Sequence, residues 1–213
     1  MAEQTADSSL ARRLFWLVSL PVALLLTVGV VLGLQINRMS ENAHWVDHTD
    51  TTISKLYEIQ KRIIDQETGL RGYMVTESHL FLEPYESANV DVSLNELGSL
   101  LSDNPEQLRN LRELQARYDF WFQDSEKVRL GEIPMQTVRN VDYMKMRKQR
   151  MDQIRGIVST MLATERHLRE ARQAALNASN QSTGIIFVVL LSATAIVISL
   201  FSRRSASARS APR

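Results

Sequence analysis

Two long runs of apolar residues interrupt an otherwise mixed pattern of apolar and polar positions. Residues 14–36 and residues 184–202 contain no charged side chain. About 20 apolar residues cross a bilayer as a helix, so each run predicts a transmembrane helix. A cleaved signal peptide is the alternative for the first run. Its apolar core would span only about 7–15 residues and end at small residues, and residues 35–39 offer no such cleavage site.

Basic residues flank the two runs on the sides that face the chain ends. Arg12 and Arg13 precede the first run. The second run is followed by Arg203, Arg204, Arg209 and Arg213. Lys and Arg in short flanking segments mark the cytoplasmic side of a membrane. We therefore expect cytoplasmic tails over residues 1–13 and 203–213, and one extracytoplasmic domain over residues 37–183.

Between the two runs, apolar residues recur at steps of three and four, which is typical of amphipathic helices. Residues 37–68 contain neither Gly nor Pro. A heptad-like seam follows, made by Ile53, Leu56, Ile63, Leu70 and Met74, with Gln60 and Glu67 in its two gaps. We expect this first outer helix to continue the first transmembrane span without a break.

Three further helices are predicted, over residues 78–101, 105–130 and 135–183. Gly69 and Gly72 are expected to mark the place where the first helix ends or bends, at the end far from the membrane. The last helix runs directly into the second apolar run. Four such helices pack most simply as an antiparallel up-down bundle. The predicted fold is therefore all-α: a four-helix bundle ectodomain whose first and last helices continue into two transmembrane helices.

Composition and motifs exclude several classes of function. The chain has 25 Lys and Arg against 24 Asp and Glu, so it carries no basic footprint for nucleic acid. It has no Cys, which rules out disulfides and thiolate metal sites. His44 and His48 could share a metal ion, but a closed zinc site needs four ligands. No nucleophile–base pair is evident either, so we expect no enzyme, no metal and no cofactor.

The polar residues within the apolar seam are the candidates for specific chemistry. Glu67 and Arg71 are four residues apart, with the acid first, the favourable order for an ion pair on a helix. Glu165 occupies a comparable position in the last helix. A buried charge must be paired, so we expect a polar layer that either fixes the register of the helices or helps to bind a ligand. Glu67, Arg71, Tyr73 and Glu165 are the candidate ligand-contacting residues.

The segment around Glu67 also carries a family resemblance. An acid-[TS]-G-x-R-G-Y element at residues 67–73 is followed by F-L-x-P-Y at residues 81–85. The motif residues are Glu67, Thr68, Gly69, Arg71, Gly72, Tyr73, Phe81, Leu82, Pro84 and Tyr85. This pattern resembles the CHASE type 3 domain, an extracytoplasmic sensor module of bacterial transmembrane receptors.

The resemblance implies a non-catalytic sensor in a bacterial inner membrane, working as a dimer. A stimulus outside the cell would displace the first and last helices and so signal to a cytoplasmic effector. This chain contains no such effector, so a histidine kinase or other signalling protein would act in trans or form the missing C-terminal part of a longer receptor. The alternative is a membrane scaffold or regulatory subunit that binds another membrane or periplasmic protein and senses nothing.

The first apolar run contains a pattern that bears on dimer formation. Gly29 and Gly33 make a GxxxG spacing, which lets two membrane helices approach closely. Apolar helices also contain such pairs by chance. The expected partners are therefore the lipid bilayer, a second copy of this chain and the cytoplasmic effector, with no nucleic acid.

Overall fold

A computed structural model describes the backbone of residues 2–209 and the side chains of residues 15, 19, 22, 23, 25–196 and 199. Over this part of the chain every regular element is a helix, and no strand occurs. The sequence-based prediction of an all-α fold is confirmed.

Two long helices account for most of the chain, with short ones between them. In chain order the elements are α1 (Ala2–Thr76), a 3₁₀-helix (His79–Leu82), α2 (Glu83–Ser87), α3 (Val90–Leu100), α4 (Pro105–Arg129), α5 (Met135–Val138) and α6 (Val141–Arg209). The described residues fall into two compact units. One unit is Trp45–Ala171, and the other contains the chain on either side of it.

In the unit Trp45–Ala171, the longer helices α1, α3, α4 and α6 each bury a stripe of mostly apolar residues at three- and four-residue steps, as expected for amphipathic helices around one core. The largest fully buried side chains are Trp121, Tyr118, Leu56, Ile59, Ile63, Leu70, Leu82, Leu94, Leu97, Leu101, Leu114 and Met151. Full burial of one such side chain contributes about 1.5–3 kcal/mol, so this core dominates the stability of the unit.

The first helix extends farther than predicted. Gly69 and Gly72 lie inside α1, which ends at Thr76, so the expectation that these glycines end the helix is wrong. Glu77 then adopts a left-handed conformation with φ 57°. Arg139 donates hydrogen bonds to the carbonyl oxygens of Met74 and Val75, both at 3.4 Å. A cation at a helix C-terminus is favourable, so Arg139 caps α1.

The predicted second helix, residues 78–101, is divided into three pieces. Ser78 precedes the 3₁₀-helix but makes no side-chain cap hydrogen bond. Pro84 lies in the first turn of α2, where its missing N–H costs nothing. Asn89 separates α2 from α3 in a left-handed conformation, with φ 37° and ψ 49°. Asn tolerates this region better than most residues, and no α-helix can pass through it.

The third helix agrees with the prediction. Asn104 is its N-cap, and its side chain accepts a hydrogen bond from the backbone N–H of Gln107 at 3.2 Å. Gly131, with φ 73°, follows its end. The fourth predicted helix, residues 135–183, is interrupted once. The side chain of Asn140 accepts a hydrogen bond from the backbone N–H of Asp142 at 2.8 Å and so caps the N-terminus of α6.

The unit that contains the chain ends has a different surface. Gln35 donates a hydrogen bond to the carbonyl oxygen of Ser179 at 3.1 Å. Many large apolar side chains of this unit are exposed, among them Leu25, Leu26, Val30, Leu34, Ile36, Ile185, Val188, Val189, Leu191 and Ile196. Apolar surface of this extent is unfavourable in contact with water and is typical of a membrane contact or a protein–protein contact.

By length and composition alone, one helix within the described residues qualifies as a candidate membrane span, and it lies in Val141–Ile196. The predicted first span at residues 14–36 includes positions whose side chains lie outside the described set, so it remains a prediction.

Candidate functional site

The two glycines of the 67–73 element have a packing explanation. A Cβ atom added to Gly69 would lie 2.8 Å from the carbonyl oxygen of Phe81 and 3.2 Å from the backbone nitrogen of Tyr85. A Cβ added to Gly72 would lie 2.8–2.9 Å from three side-chain atoms of Phe81. These distances leave no room for a side chain. The two glycines therefore let the segment 81–85 lie directly against α1.

Glu67 has a closer partner than the one expected. Its carboxylate accepts a hydrogen bond from the guanidinium of Arg155 on α6. Arg71 reaches only 3.8 Å from it, and the Arg71 side chain is 75% exposed. The expected ion pair between Glu67 and Arg71 is therefore present but long, and Arg155 is a closer partner that the sequence did not indicate. The charge of Glu67 joins α1 to α6 and leaves Arg71 facing solvent.

Glu165 is buried but does not share a layer with Glu67. Gln107 on α4 donates hydrogen bonds to the Glu165 carboxylate at 2.8 Å and to the carbonyl oxygen of Met161 at 3.1 Å. Arg155 and Glu165 are ten residues apart on α6, which is about 15 Å along a helix. The predicted single polar layer is therefore two separate contacts, one joining α1 to α6 and one joining α4 to α6.

A buried residue beside Glu67 was missed by the sequence reasoning. Gln66 is 3% exposed and donates a hydrogen bond to the carbonyl oxygen of Tyr85 at 3.3 Å. Its amide oxygen accepts a hydrogen bond from the hydroxyl of Tyr118 at 3.0 Å. The sequence did indicate its burial, because Gln66 lies three residues after Ile63 and four before Leu70 and so shares their helix face.

Gln66 is connected through Tyr85 to a second group of polar side chains. The hydroxyl of Tyr85 donates a hydrogen bond to Glu126 at 2.7 Å. Arg129 donates to both carboxylate oxygens of Glu126, at 3.0, 3.1 and 2.7 Å. These hydrogen bonds, that from Arg129 above all, hold the pKa of Glu126 below its ordinary value. Burial raises the pKa of Tyr85 and of Tyr118, so both phenols stay protonated donors.

These groups line a cavity of about 330 Å³ in the unit Trp45–Ala171. The lining residues are Gln66, Tyr85, Glu86, Asn89, Val90, Asp91, Tyr118, Phe122, Glu126 and Arg129. Phe122 stacks on Tyr85, with 5.8 Å between ring centroids, and on Tyr118, with 5.7 Å. The cavity is open to solvent, and Tyr85 and Tyr118 are only 3% and 2% exposed, so their rings present little surface to a ligand.

Another polar cluster lies between α4 and α6. Arg147 is 8% exposed and donates hydrogen bonds to Asp124 and, at 2.9 Å, to Ser125. Asp124 also accepts a hydrogen bond from Tyr143 at 2.9 Å and lies 3.3 Å from Arg150. This carboxylate is thus surrounded by donors within the protein. The cluster joins two helices, and its carboxylate is paired within the protein, so it has the character of a structural contact.

The remaining residues singled out in the sequence are dispersed. Tyr73 and Leu82 are buried in the core, whereas Phe81 is 44% exposed. Gly29 and Gly33 lie in the other unit, where an added Cβ would meet no atom within 4 Å, so their role in a dimer remains a prediction. Thr68 is exposed on α1.

The two histidines remain a separate question. His48 packs edge-on against Trp45, with ring centroids 5.6 Å apart. Within the described part of the chain, no group of three or more His, Asp or Glu side chains is placed to hold a metal ion.

The chain is similar to one known protein family. A family model described as the CHASE3 domain matches residues 42–175, which is more than half of the chain. The chain belongs to the CHASE3 domain family. The resemblance inferred from the 67–85 motif is therefore confirmed. No curated protein and no solved structure matches the chain.

Membership in the CHASE3 family supports a role in sensing, because CHASE3 domains are extracytoplasmic sensor domains. It points away from an enzymatic role. Together with the candidate span in α6, it also supports a membrane protein. The identity of the stimulus must come from the residues of the site.

Proposed function

We propose that this chain is the signal-input part of a two-pass receptor in a bacterial inner membrane. Residues 37–183 would form an extracytoplasmic four-helix bundle, between transmembrane helices at residues 14–36 and 184–202, with both termini in the cytoplasm. Support comes from the CHASE3 match at residues 42–175, which lies between the two apolar runs. The outward-facing apolar side chains of the unit with the chain ends also suit a lipid environment.

The observation that carries a relay mechanism is the length of two helices. α1 runs from Ala2 to Thr76 and α6 from Val141 to Arg209, so each passes the boundary of the CHASE3 match without a break in the helix. A continuous helix moves as one element more readily than a jointed chain. In this proposal a stimulus shifts α1 against α6 by about 1–2 Å, the scale of helix shifts in known switches.

The proposal also assigns partners. Two copies would form a homodimer, with Gly29 and Gly33 at the contact between first spans. The output would be read by a cytoplasmic histidine kinase or another signalling protein, acting in trans or joined to the chain as its C-terminal continuation. No catalytic step is assigned to the chain itself.

Cysteine cross-linking tests the relay. The chain contains no Cys, so single substitutions Met39→Cys and Ser179→Cys give cross-links free of background. The carbonyl of Ser179 that accepts from Gln35 belongs to the backbone and survives the substitution. Each variant of residues 1–202 would be fused to a histidine kinase with a transcriptional reporter, and disulfide yields between copies would be compared in reporter-on and reporter-off cells.

We expect the disulfide yield at one or both positions to change when the reporter changes. A cysteine at exposed Glu132, on the turn after α4, is the matched control for altered expression or oxidation. If the reporter responds while yields at both positions stay constant, helix displacement is the wrong mechanism.

A further inference from the structure

We propose that a releasable contact holds α1 to α6 at the end of the unit Trp45–Ala171 that contains its first and last residues, and that α1 pivots about its other end. We call this contact the latch; it consists of Asp50, Tyr57, Arg166 and Arg169. The inference deepens the proposed function, because it says where α1 shifts against α6. It rests on that function only where the movement is given a signalling role, since the movement itself is a property of this unit.

The far end of α1 is fixed by buried contacts. Gln66 hydrogen-bonds to the carbonyl oxygen of Tyr85 at 3.3 Å and to the hydroxyl of Tyr118 at 3.0 Å. Gly69 lies so close to the segment 81–85 that an added Cβ would be 2.8 Å from a backbone oxygen. A buried polar group that loses its partner destabilises the protein strongly. Movement of residues 66–72 against this segment is therefore costly, and these residues form the pivot.

The helix α6 is fixed in turn to α4. Gln107, which is fully buried near the start of α4, donates a hydrogen bond to the carboxylate of Glu165 at 2.8 Å. Near the other end of α4, Asp124 accepts a hydrogen bond from the buried guanidinium of Arg147. Because buried contacts join α4 to α6 at both ends of α4, α6 moves together with α4. The moving element is therefore the part of α1 before the pivot.

The latch differs from these contacts because its side chains are exposed to water. Arg169 donates hydrogen bonds to both carboxylate oxygens of Asp50, and the two side chains are 48% and 45% exposed. Arg166 donates a hydrogen bond to the hydroxyl of Tyr57, which is 43% exposed, and also lies over its ring. An exposed ion pair changes an equilibrium by about fivefold at most. The latch therefore opens more readily than the buried contacts of the pivot.

The buried face of α1 is also less apolar beside the latch. Its fully buried positions begin with Thr49 and Thr52 and continue, at steps of three and four, with Leu56, Ile59 and Ile63. The hydroxyls of the two threonines donate hydrogen bonds to carbonyl oxygens of α1 itself, at 2.8 and 2.9 Å. A threonine buries less apolar surface than a leucine or an isoleucine. Hydrophobic burial therefore holds α1 less strongly at the latch than toward the pivot.

Distances between two spin labels, measured by double electron–electron resonance on the full chain in detergent, test the proposal. The chain has no Cys, so labels attach only at introduced cysteines. Cysteines at exposed Thr51 and Glu170 report on the latch, and cysteines at exposed Thr68 and Gln149 report on the pivot. Labelled chain is diluted with unlabelled chain, so that distances between copies do not contribute.

Asp50→Asn removes the acidic charge of the latch. We expect the distance between residues 51 and 170 to lengthen or broaden by about 1–2 Å, the scale of known helix shifts, with no change between residues 68 and 149. High salt should act on the wild type in the same way, because it screens exposed charges, and should change Asp50→Asn little. Asp65→Asn is the matched control. It breaks the exposed pair of Lys61 and Asp65, which lie 2.6 Å apart on α1 alone, and should change neither distance.

Three results would overturn the proposal: an unchanged distance at the latch in Asp50→Asn, equal changes at the latch and at the pivot, or the same change in Asp65→Asn. The first would show that the latch holds nothing, and the second that α1 moves without a pivot. The signalling role is tested separately in the kinase fusion. If the distances change as expected while Asp50→Asn leaves the reporter output unchanged, the latch stands and its signalling role fails.

Discussion

Alanine substitutions at three glycines test whether the 67–73 element is a packing motif. Gly69, Gly72 and Gly156 all lie inside long helices, so alanine gains about 1 kcal/mol of helix propensity at each. At Gly156 an added Cβ meets no atom within 4 Å. We therefore expect Gly156→Ala to stabilise the protein by about 0.5–1 kcal/mol, which makes it the reference for the other two substitutions.

At Gly69 the same methyl group would lie 2.8 Å from the Phe81 carbonyl oxygen and 3.2 Å from the Tyr85 nitrogen. Both are backbone atoms, so only a shift of the 81–85 segment relieves the clash. Overpacking of this kind costs about 1–3 kcal/mol. After the propensity gain, we expect Gly69→Ala to be destabilising by about 1–2 kcal/mol.

Gly72→Ala separates the two causes of strain, because its close contacts are side-chain atoms of Phe81. Adding Phe81→Ala removes the ring but keeps its Cβ. The second substitution should therefore recover part of the stability lost in Gly72→Ala and none of that lost in Gly69→Ala. Such a difference appears as coupling energy in a double-mutant cycle.

Chemical unfolding of the full chain in detergent, followed by circular dichroism, measures these changes. The packing explanation fails if Gly69→Ala is as stable as Gly156→Ala. It also fails if Phe81→Ala rescues both substitutions equally, because the Gly69 contact would then not depend on the backbone.

Two further predictions concern the buried polar groups. The hydrogen bonds from Arg129 lower the pKa of Glu126 from its ordinary 4.5, so this carboxylate contributes stability that is present above pH 4.5 and lost as the pH falls through its lowered value. The loss of stability caused by Glu126→Gln should therefore be largest at pH 7 and shrink below pH 4.5 in thermal melts, and a constant difference would contradict this. Arg147→Met leaves the half-buried carboxylate of Asp124 without its best partner and should cost about 2–4 kcal/mol in chemical unfolding. Exposed Lys148→Met is its control and should change stability by less than about 0.5 kcal/mol; equal effects would refute the structural role of Arg147.

Much of the helical architecture could be predicted from the sequence. The third helix was predicted nearly to its ends, because Asn104 before Pro105 and Gly131 after Arg129 are local signals of start and stop. The breaks at Asn89 and Asn140 were not predicted. A single Asn is compatible with a helix. The helix is broken at these two positions because tertiary packing of the neighbouring segments overrides the local helix propensity.

The candidate site was predicted less well than the helices. Glu67 was correctly singled out as a charge that needs a partner, but Arg155 lies 88 residues farther along the chain. Arg71 was the nearer choice in sequence and is the more distant one in space. The cavity is made by α1, α2, α3 and α4 together, and its acids Glu86 and Asp91 are ordinary exposed residues in the sequence.

The sequence by itself therefore determined the all-helical class, the two uncharged apolar runs and the family resemblance. These features follow from periodicity and from short motifs, which act within one segment of chain. Only the tertiary structure decided that Gly69 and Gly72 permit a close approach, that Glu67 pairs with Arg155, and that aromatic and acidic side chains line one open cavity. The physical reason is that the apolar pattern of the sequence shows which face of a helix is buried. Which residues of other helices pack against that face is decided only by the tertiary structure.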